Sequence, residues 1–251
     1  MGNNRLGRKP GGFWQEIMFR FKQFTIQQDR TAMKVCTDAC VLGAWAAIAD
    51  VPNAHILDIG TGTGLLALMA AQRNPTASID AVEIDTQAAG QASENVTASP
   101  FADRVQIIHS RIQVFEPAHR YDHTLTNPPF YTNHLRSPDA AVNRALHTDE
   151  LPFAELLEAV TRLLKPDGNW WVLLPPYEAA KLAELAARHM LLPTRRLALQ
   201  HTAQKPVFRV LTGFGFGQEV CLNDTLVIYE PDGRTYTTAF RSLLRDFYLI
   251  F

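Results

Sequence analysis

The chain has 251 residues, of which 47% are hydrophobic, 20% charged and 10% aromatic, and its formal net charge is −1. That length supports a sizeable core, and the composition excludes disordered, collagen-like and mucin-like chains. The near-zero total argues against a uniformly basic nucleic-acid binder, but it hides an asymmetry: residues 1–34 and 188–209 each carry +5, while 35–187 carry −9.

Residues 1–12 are glycine-rich and lack apolar periodicity, which predicts a flexible basic arm. No apolar stretch follows Arg5, Arg8 and Lys9, so no secretory leader is read there. The longest apolar run, 65–71, falls far short of the ~20 residues that span a bilayer. A polar-aromatic segment from Phe13 leads into a helical pattern over 37–49, with Thr37 or Asp38 as its cap.

From residue 54 the pattern alternates. Strands are expected over 54–59, 78–84, 105–109, 121–126 and 170–174, and helices over 65–73, 86–97, 151–164 and 177–189. Asn74-Pro75 and Lys165-Pro166-Asp167-Gly168 read as helix stops. Three further strands are expected over 191–199, 207–214 and 225–229. Five near-continuous apolar strands between helices predict an α/β fold: a doubly wound, mostly parallel, Rossmann-like sheet with an antiparallel C-terminal edge.

Cys36, Cys40 and Cys221 form neither a disulfide framework nor a zinc pattern, so no metal is expected and a reducing cytoplasm fits best. Cys36 and Cys40 read as small core residues of one helix face.

The first strand runs into Asp58-Ile59-Gly60-Thr61-Gly62-Thr63-Gly64. Open α/β sheets bind ligands beyond the carboxyl ends of their strands, and glycines there let backbone approach a ligand closely. Glu83 ends the second strand, nineteen positions after Gly64. A carboxylate there can accept both hydroxyls of a ribose, which points to a nucleoside cofactor of either the nicotinamide or the S-adenosylmethionine class. Asp85 reads as the cap of the next helix.

Asn127-Pro128-Pro129-Phe130 follows the fourth strand, facing the same cleft. Methyl transfer from a sulfonium to an amino nitrogen is an in-line displacement, and an amine conjugated to a base or a carbonyl is a poor nucleophile. The side-chain oxygen of Asn127 and the carbonyl of Pro128 can each accept one N–H, aiming the lone pair and offsetting the charge that grows on nitrogen. Phe130 can stack on a planar base turned out of its strand.

The glycine turn, Glu83 and the Asn-Pro-Pro-Phe loop together resemble an amino-group methyltransferase dependent on S-adenosylmethionine. Further segments narrow the resemblance: Phe21-Lys22-Gln23-Phe24-Thr25, Met33-Lys34-Val35-Cys36-Thr37-Asp38, Leu42-Gly43-Ala44-Trp45, Gln91-Ala92-Ser93-Glu94-Asn95-Val96 and Ser99-Pro100-Phe101. With these, the chain resembles the tRNA1(Val) (adenine-37 N6)-methyltransferase family from about Phe21 to Phe247-Tyr248. The resemblance implies a class I methyltransferase fold acting on an adenine beside a tRNA anticodon. It implies S-adenosylmethionine held by Lys34, Thr37, Asp38, Asp58, Gly60, Thr61, Gly62, Gly64, Glu83 and Asn127, with Asn127, Pro128 and Phe130 at the reacting amine. The expected organisation is one methyltransferase domain over 1–251, with a basic arm at 1–12, an extension over the cofactor site at 13–53 and a Rossmann-like core at 54–251. The two basic segments, 1–34 and 188–209, would meet tRNA, with no membrane partner and a monomer as the default.

The chain departs from the family pattern at Cys36 and Ala39, where glycine is usual, and at Leu146, where an arginine precedes His147-Thr148-Asp149. His109-Ser110-Arg111-Ile112 leaves the acceptor for the cofactor's adenine amine unassigned. One rival is a protein-glutamine methyltransferase, which also uses such a loop on a planar amide; the 20 residues before Phe21 leave no room for its helical N-terminal domain. Another is a non-catalytic, cofactor-binding RNA assembly factor, against which intact Asn127, Phe130 and Glu83 count.

Overall fold

The apolar runs assemble into an eight-stranded sheet in the computed structural model, which describes residues 6–7, 15–16, 18–31, 33–128, 153–217 and 221–251. Two small ribbons precede it, β1 (Leu6–Gly7) with β2 (Gln15–Glu16) and β3 (Met18–Arg20) with β4 (Thr25–Gln27). The sheet strands are β5 (His55–Ile59), β6 (Ser78–Glu83), β7 (Val105–His109), β8 (Tyr121–Thr126), β9 (Leu164–Leu174), β10 (Leu191–Gln200), β11 (Val207–Phe216) and β12 (Leu222–Val227). Their order is β12-β10-β11-β9-β8-β5-β6-β7.

All neighbouring pairs from β7 to β9 are parallel, and β11 runs antiparallel to both β9 and β10. The antiparallel element is therefore β11, and the outermost β12 pairs parallel with β10. Strand order reverses between β5 and β8, whose ends pair at Ile59↔Thr126. A crevice opens at such a switch point, outside the carboxyl ends of the strands.

Helices α1 (Thr37–Trp45), α2 (Leu65–Arg73), α3 (Thr86–Thr97), α4 (Phe153–Leu163), α5 (Pro176–Ala187) and α6 (Thr238–Leu244) cover both faces. One face buries Val41, Leu68, Met69, Val96 and Phe240 against Ile56, Leu125, Trp171 and Leu211. The other buries Leu157, Val160 and Leu182 against Leu57, Trp170, Val172 and Phe214. Burial on both sides is why the end of β9, Trp170 to Leu174, reads as a continuous apolar run rather than an alternating one.

Three expectations are corrected. Neither Thr37 nor Asp38 caps α1: Cys36 holds the extended cap position with no side-chain cap bond, because the Asp38 carboxylate is drawn to Arg209 Nε at 2.8 Å. The same helix stops at Trp45, short of residue 49, where Arg73 donates to the carbonyls of Gly43 (3.1 Å) and Ala46 and satisfies its last turn. Helix α4 does stop just before residues 165–168, at Leu163, but β9 begins at Leu164 rather than at 170, with 165–168 as an irregularity between the pairs Tyr121↔Leu164 and His123↔Asn169. A proline is tolerated in such an irregularity, and Lys165 Nζ reaches Asp122 Oδ1 at 2.7 Å across it.

Cys36, Cys40 and Cys221 are all free thiols. Burial pushes the Cys36 and Cys40 thiols up to about 12, so both behave as inert core groups. Among the described residues no helix is long and apolar enough to cross a membrane, and no cluster of His, Cys, Asp and Glu could hold a metal.

Candidate active site at the switch point

The turn after β5 is built by three glycines in the left-handed region, Gly60 (φ +70), Gly62 (φ +58) and Gly64 (φ +83). A side chain at any of them would strain the backbone by about 1–2 kcal/mol. A Cβ at Gly60 or Gly62 would meet nothing within 4 Å, so this backbone faces open space. The amides of Gly60 and Thr61 donate to the carbonyl of Val82 at 2.9 and 3.1 Å, which fastens the turn to β6. Gly64 then caps α2, whose N-terminal amides and dipole favour a polar or anionic ligand.

Asp58 braces this turn from beneath. It is fully buried; Oδ2 accepts from Thr61 Oγ1 at 2.6 Å and from the Ala67 amide at 3.2 Å, while Oδ1 has no partner among the described residues. Burial outweighs these bonds and pushes the carboxyl from 3.8 up to about 7. Between about pH 4 and 7 the folded chain therefore holds a proton that the unfolded chain releases. The unliganded protein should lose stability from this group as pH rises through that window. Thermal melts should show Asp58→Asn gaining on wild type from pH 5 to pH 8 and levelling off above; a pH-independent difference would mean an ionised Asp58 throughout.

Glu83 closes the turn from β6. Its Oε2 accepts from the Gly62 amide at 2.8 Å and its Oε1 from the Asp85 amide at 2.9 Å. An ionised carboxylate has about four lone-pair sites, so each oxygen keeps one for a ligand. Ile84, next in the chain, leaves 42% of its surface exposed and offers an apolar face beside that carboxylate. Asp85 caps α3, accepting from the Ala88 amide at 2.8 Å, and the Ser110 amide donates to the Glu83 carbonyl at 2.9 Å.

Asn127 and Pro128 follow β8 directly, beside the glycine turn. The strand end is braced by Trp170 Nε1, which donates to Thr126 Oγ1 at 3.1 Å. Asn127 Oδ1 is buried and has no hydrogen-bond partner among the described residues. An acceptor left unmet in a protein interior costs about 1–3 kcal/mol, which makes this oxygen a place for a donor to arrive. Pro129, Phe130, Leu146 and His147-Thr148-Asp149 lie outside the described residues.

Asp58, Gly60, Thr61, Gly62, Gly64 and Glu83 are thus brought together through direct hydrogen bonds or chain continuity, with Asn127 on the adjoining strand end. Among the described residues no hydrogen bond ties Lys34, Thr37 or Asp38 to this turn. Lys34 Nζ donates to the carbonyls of Gln28 and Thr31, the latter at 2.9 Å. Asp38 pairs with Arg209. Sequence reasoning missed the roles of Gln91 and Asn95, which α3 turns inward against the segment around β4. Their i, i+4 spacing on an otherwise small-residue helix face was the available signal.

The donor set suits a nucleoside cofactor carrying a cationic sulfonium: a cradle of open backbone, a carboxylate with spare acceptors, an exposed apolar side chain and no cation within the turn itself. Comparison with known proteins agrees. Residues 45–181 match the family model of the methyltransferase small domain. A Dyadobacter fermentans protein named tRNA1(Val) (adenine(37)-N6)-methyltransferase is 52% identical over 93% of this chain and 98% of its own length. Among solved structures, one described as a predicted O-methyltransferase from Agrobacterium tumefaciens superposes with a TM-score of 0.67 at 16% identity, covering 83% of this chain and 96% of that one. Another, described as a class I S-adenosylmethionine-dependent methyltransferase from Listeria monocytogenes, gives 0.59 at 15% identity, covering 87% and 72%.

Proposed function

Because this chain belongs to the tRNA1(Val) (adenine(37)-N6)-methyltransferase family, we propose that it methylates N6 of an adenine in tRNA, at position 37 beside the anticodon, using S-adenosylmethionine. The buried Oδ1 of Asn127 at the switch point, without a hydrogen-bond partner among the described residues, carries this reading. When bound, the cofactor supplies an electrophilic methyl on a positively charged sulfur.

The chain's own residues do the rest. Glu83 would accept the ribose hydroxyls, the open backbone of the 60–64 turn would line the cofactor and Ile84 would offer its base an apolar face. Lys34, Thr37 and Asp38 order the segment that covers the cofactor. Asn127 Oδ1 accepts one N–H of the adenine amine and the Pro128 carbonyl the other, which aims the nitrogen lone pair along the line of displacement. As charge develops on nitrogen, both acceptors strengthen, so the site favours the transition state over the ground state. Phe130 stacks on the target base. No general base is needed before transfer, because the proton becomes acidic only once nitrogen carries the methyl group.

We read 1–251 as one methyltransferase domain, with 54–251 as its core, 13–53 extending over the cofactor site and 1–12 as a basic arm. The enzyme would act as a cytoplasmic monomer on tRNA, met by segments 1–34 and 188–209. In the second of these, Lys205 is exposed at the β10–β11 turn, and exposed His201 lies flat on Phe208, with ring centroids 4.0 Å apart and planes at 6°. Stacked aromatics beside cations suit single-stranded nucleic acid.

The test is methyl transfer from labelled S-adenosylmethionine to unmodified bulk tRNA, followed by nucleoside analysis. The expected product is N6-methyladenosine in tRNA1(Val). Cofactor binding without incorporation into tRNA would overturn the tRNA reading, and label in a protein glutamine would favour the amide-methylating alternative.

A further inference from the structure

We propose that Asn95 is the positioning residue of the cofactor turn, gripping the glycine backbone and the N-terminal strand β4 in one set of bonds; this rests on the reading of that turn as the cofactor site. Asn95 lies on α3 and is 2% exposed. Its Nδ2 donates to the Thr63 carbonyl and to the Gln27 carbonyl, each at 2.9 Å. Its Oδ1 accepts from the Gln27 amide at 2.9 Å. An asparagine amide offers two donors and two lone pairs, so three of four capacities are spent on backbone from two segments far apart in sequence.

Thr63 stands between Gly62 and Gly64, both at positive φ. A glycine-rich turn has the widest backbone freedom of any segment and few side chains with which to hold itself. Besides the backbone bonds to the Val82 carbonyl, side chains hold its shape from outside at three points: Asp58 on the Thr61 hydroxyl, Glu83 on the Gly62 amide and Asn95 on the Thr63 carbonyl. The third tether comes from the helix against which the turn also packs, since a Cβ at Gly64 would lie 3.5 Å from that of Ala92. Gln91 extends the contact, its Oε1 accepting from the Arg30 amide at 3.2 Å. A turn fixed before binding spends less of the cofactor's interaction energy on ordering.

Asn74 is the matched control. It is 1% exposed and also clamps backbone, donating to the carbonyls of Ile48 and Val51 at 2.9 Å each, but at the other end of α2. Both alanine variants should lose thermal stability. Calorimetry with S-adenosylhomocysteine, well below either melting point, should show Asn95→Ala binding about tenfold or more weakly than wild type and Asn74→Ala within about twofold. In steady state the Asn95 variant should raise the cofactor KM by a similar factor, with kcat at saturating cofactor nearly unchanged.

Equal binding by wild type and Asn95→Ala, or an equal loss in Asn74→Ala at matched stability, would overturn the proposal by making Asn95 an ordinary core clamp. If Asn95→Ala does not fold, Asn95→Asp keeps the acceptor for Gln27 and removes both donors, and the same comparison applies. Failure of both to fold would likewise assign Asn95 to the core. Wild type that binds the probe but leaves tRNA unmethylated would sink the substrate reading alone. Wild type that does not bind it would take the cofactor site and this proposal down together.

Discussion

Asn127→Ala is expected to lower kcat for methyl transfer by about 10²–10³-fold, the range found when one preorganised polar group at a developing charge is removed. The acceptor it deletes is buried and makes no hydrogen bond among the described residues, so melting temperature should hold or rise. Cofactor affinity should change by no more than a few-fold, because Glu83 and the 60–64 turn remain intact. Single-turnover rates at saturating cofactor and tRNA separate the alternatives. A rate near that of wild type would remove Asn127 from the chemistry. A parallel loss of cofactor affinity would assign it to the cofactor pocket instead of the amine.

Glu83→Gln is expected to weaken cofactor binding by about 10²-fold or more. Hydrogen bonds to a charged group contribute about 1.5–3 kcal/mol each, and the carboxylate is proposed to accept two from the ribose. The substitution also harms the site that remains. Glu83 already accepts from the amides of Gly62 and Asp85, and an amide side chain must point its NH₂ at one of those donors. The turn should therefore loosen at Gly62 as the ribose acceptor is lost. Calorimetry with S-adenosylhomocysteine measures the loss directly; an affinity within threefold of wild type would mean the ribose is held elsewhere. The effect should fall on KM for the cofactor far more than on kcat, the reverse of Asn127→Ala, so the two variants together separate holding from transferring.

The parts of the fold that were legible have causes within a short window. Helices α2 and α3 and strands β7 and β8 begin and end where the pattern places them, because caps, stops and apolar runs act over a few residues. The glycine turn was legible for the same reason: three residues that tolerate positive φ, spaced two apart, leave few other conformations. Glu83 and Asn127 followed from their position at strand ends, where the topology of a parallel sheet gathers side chains.

What failed had causes outside the window. The strand expected over 170–174 starts instead at Leu164, because the distant pair Tyr121↔Leu164 carries β9 back across residues 165–168. Asp38 read as a cap until Arg209, 171 residues away, claimed its carboxylate. Asn95 read as part of a motif without a task, because its partners are backbone atoms 32 and 68 positions distant.

The sequence by itself determined the class of chemistry, since residue type and local spacing decide where a flexible turn, a ribose acceptor and an amine acceptor can stand. Only the tertiary structure decided which polar atoms are satisfied. It left Oδ1 of Asn127 without a partner among the described residues, filled half the capacity of Glu83 with the amides of Gly62 and Asp85 and set Asn95 against the glycine turn. The physical reason is that a hydrogen bond to a distant backbone atom depends on burial and geometry fixed by the whole fold, and leaves no periodic trace in the chain.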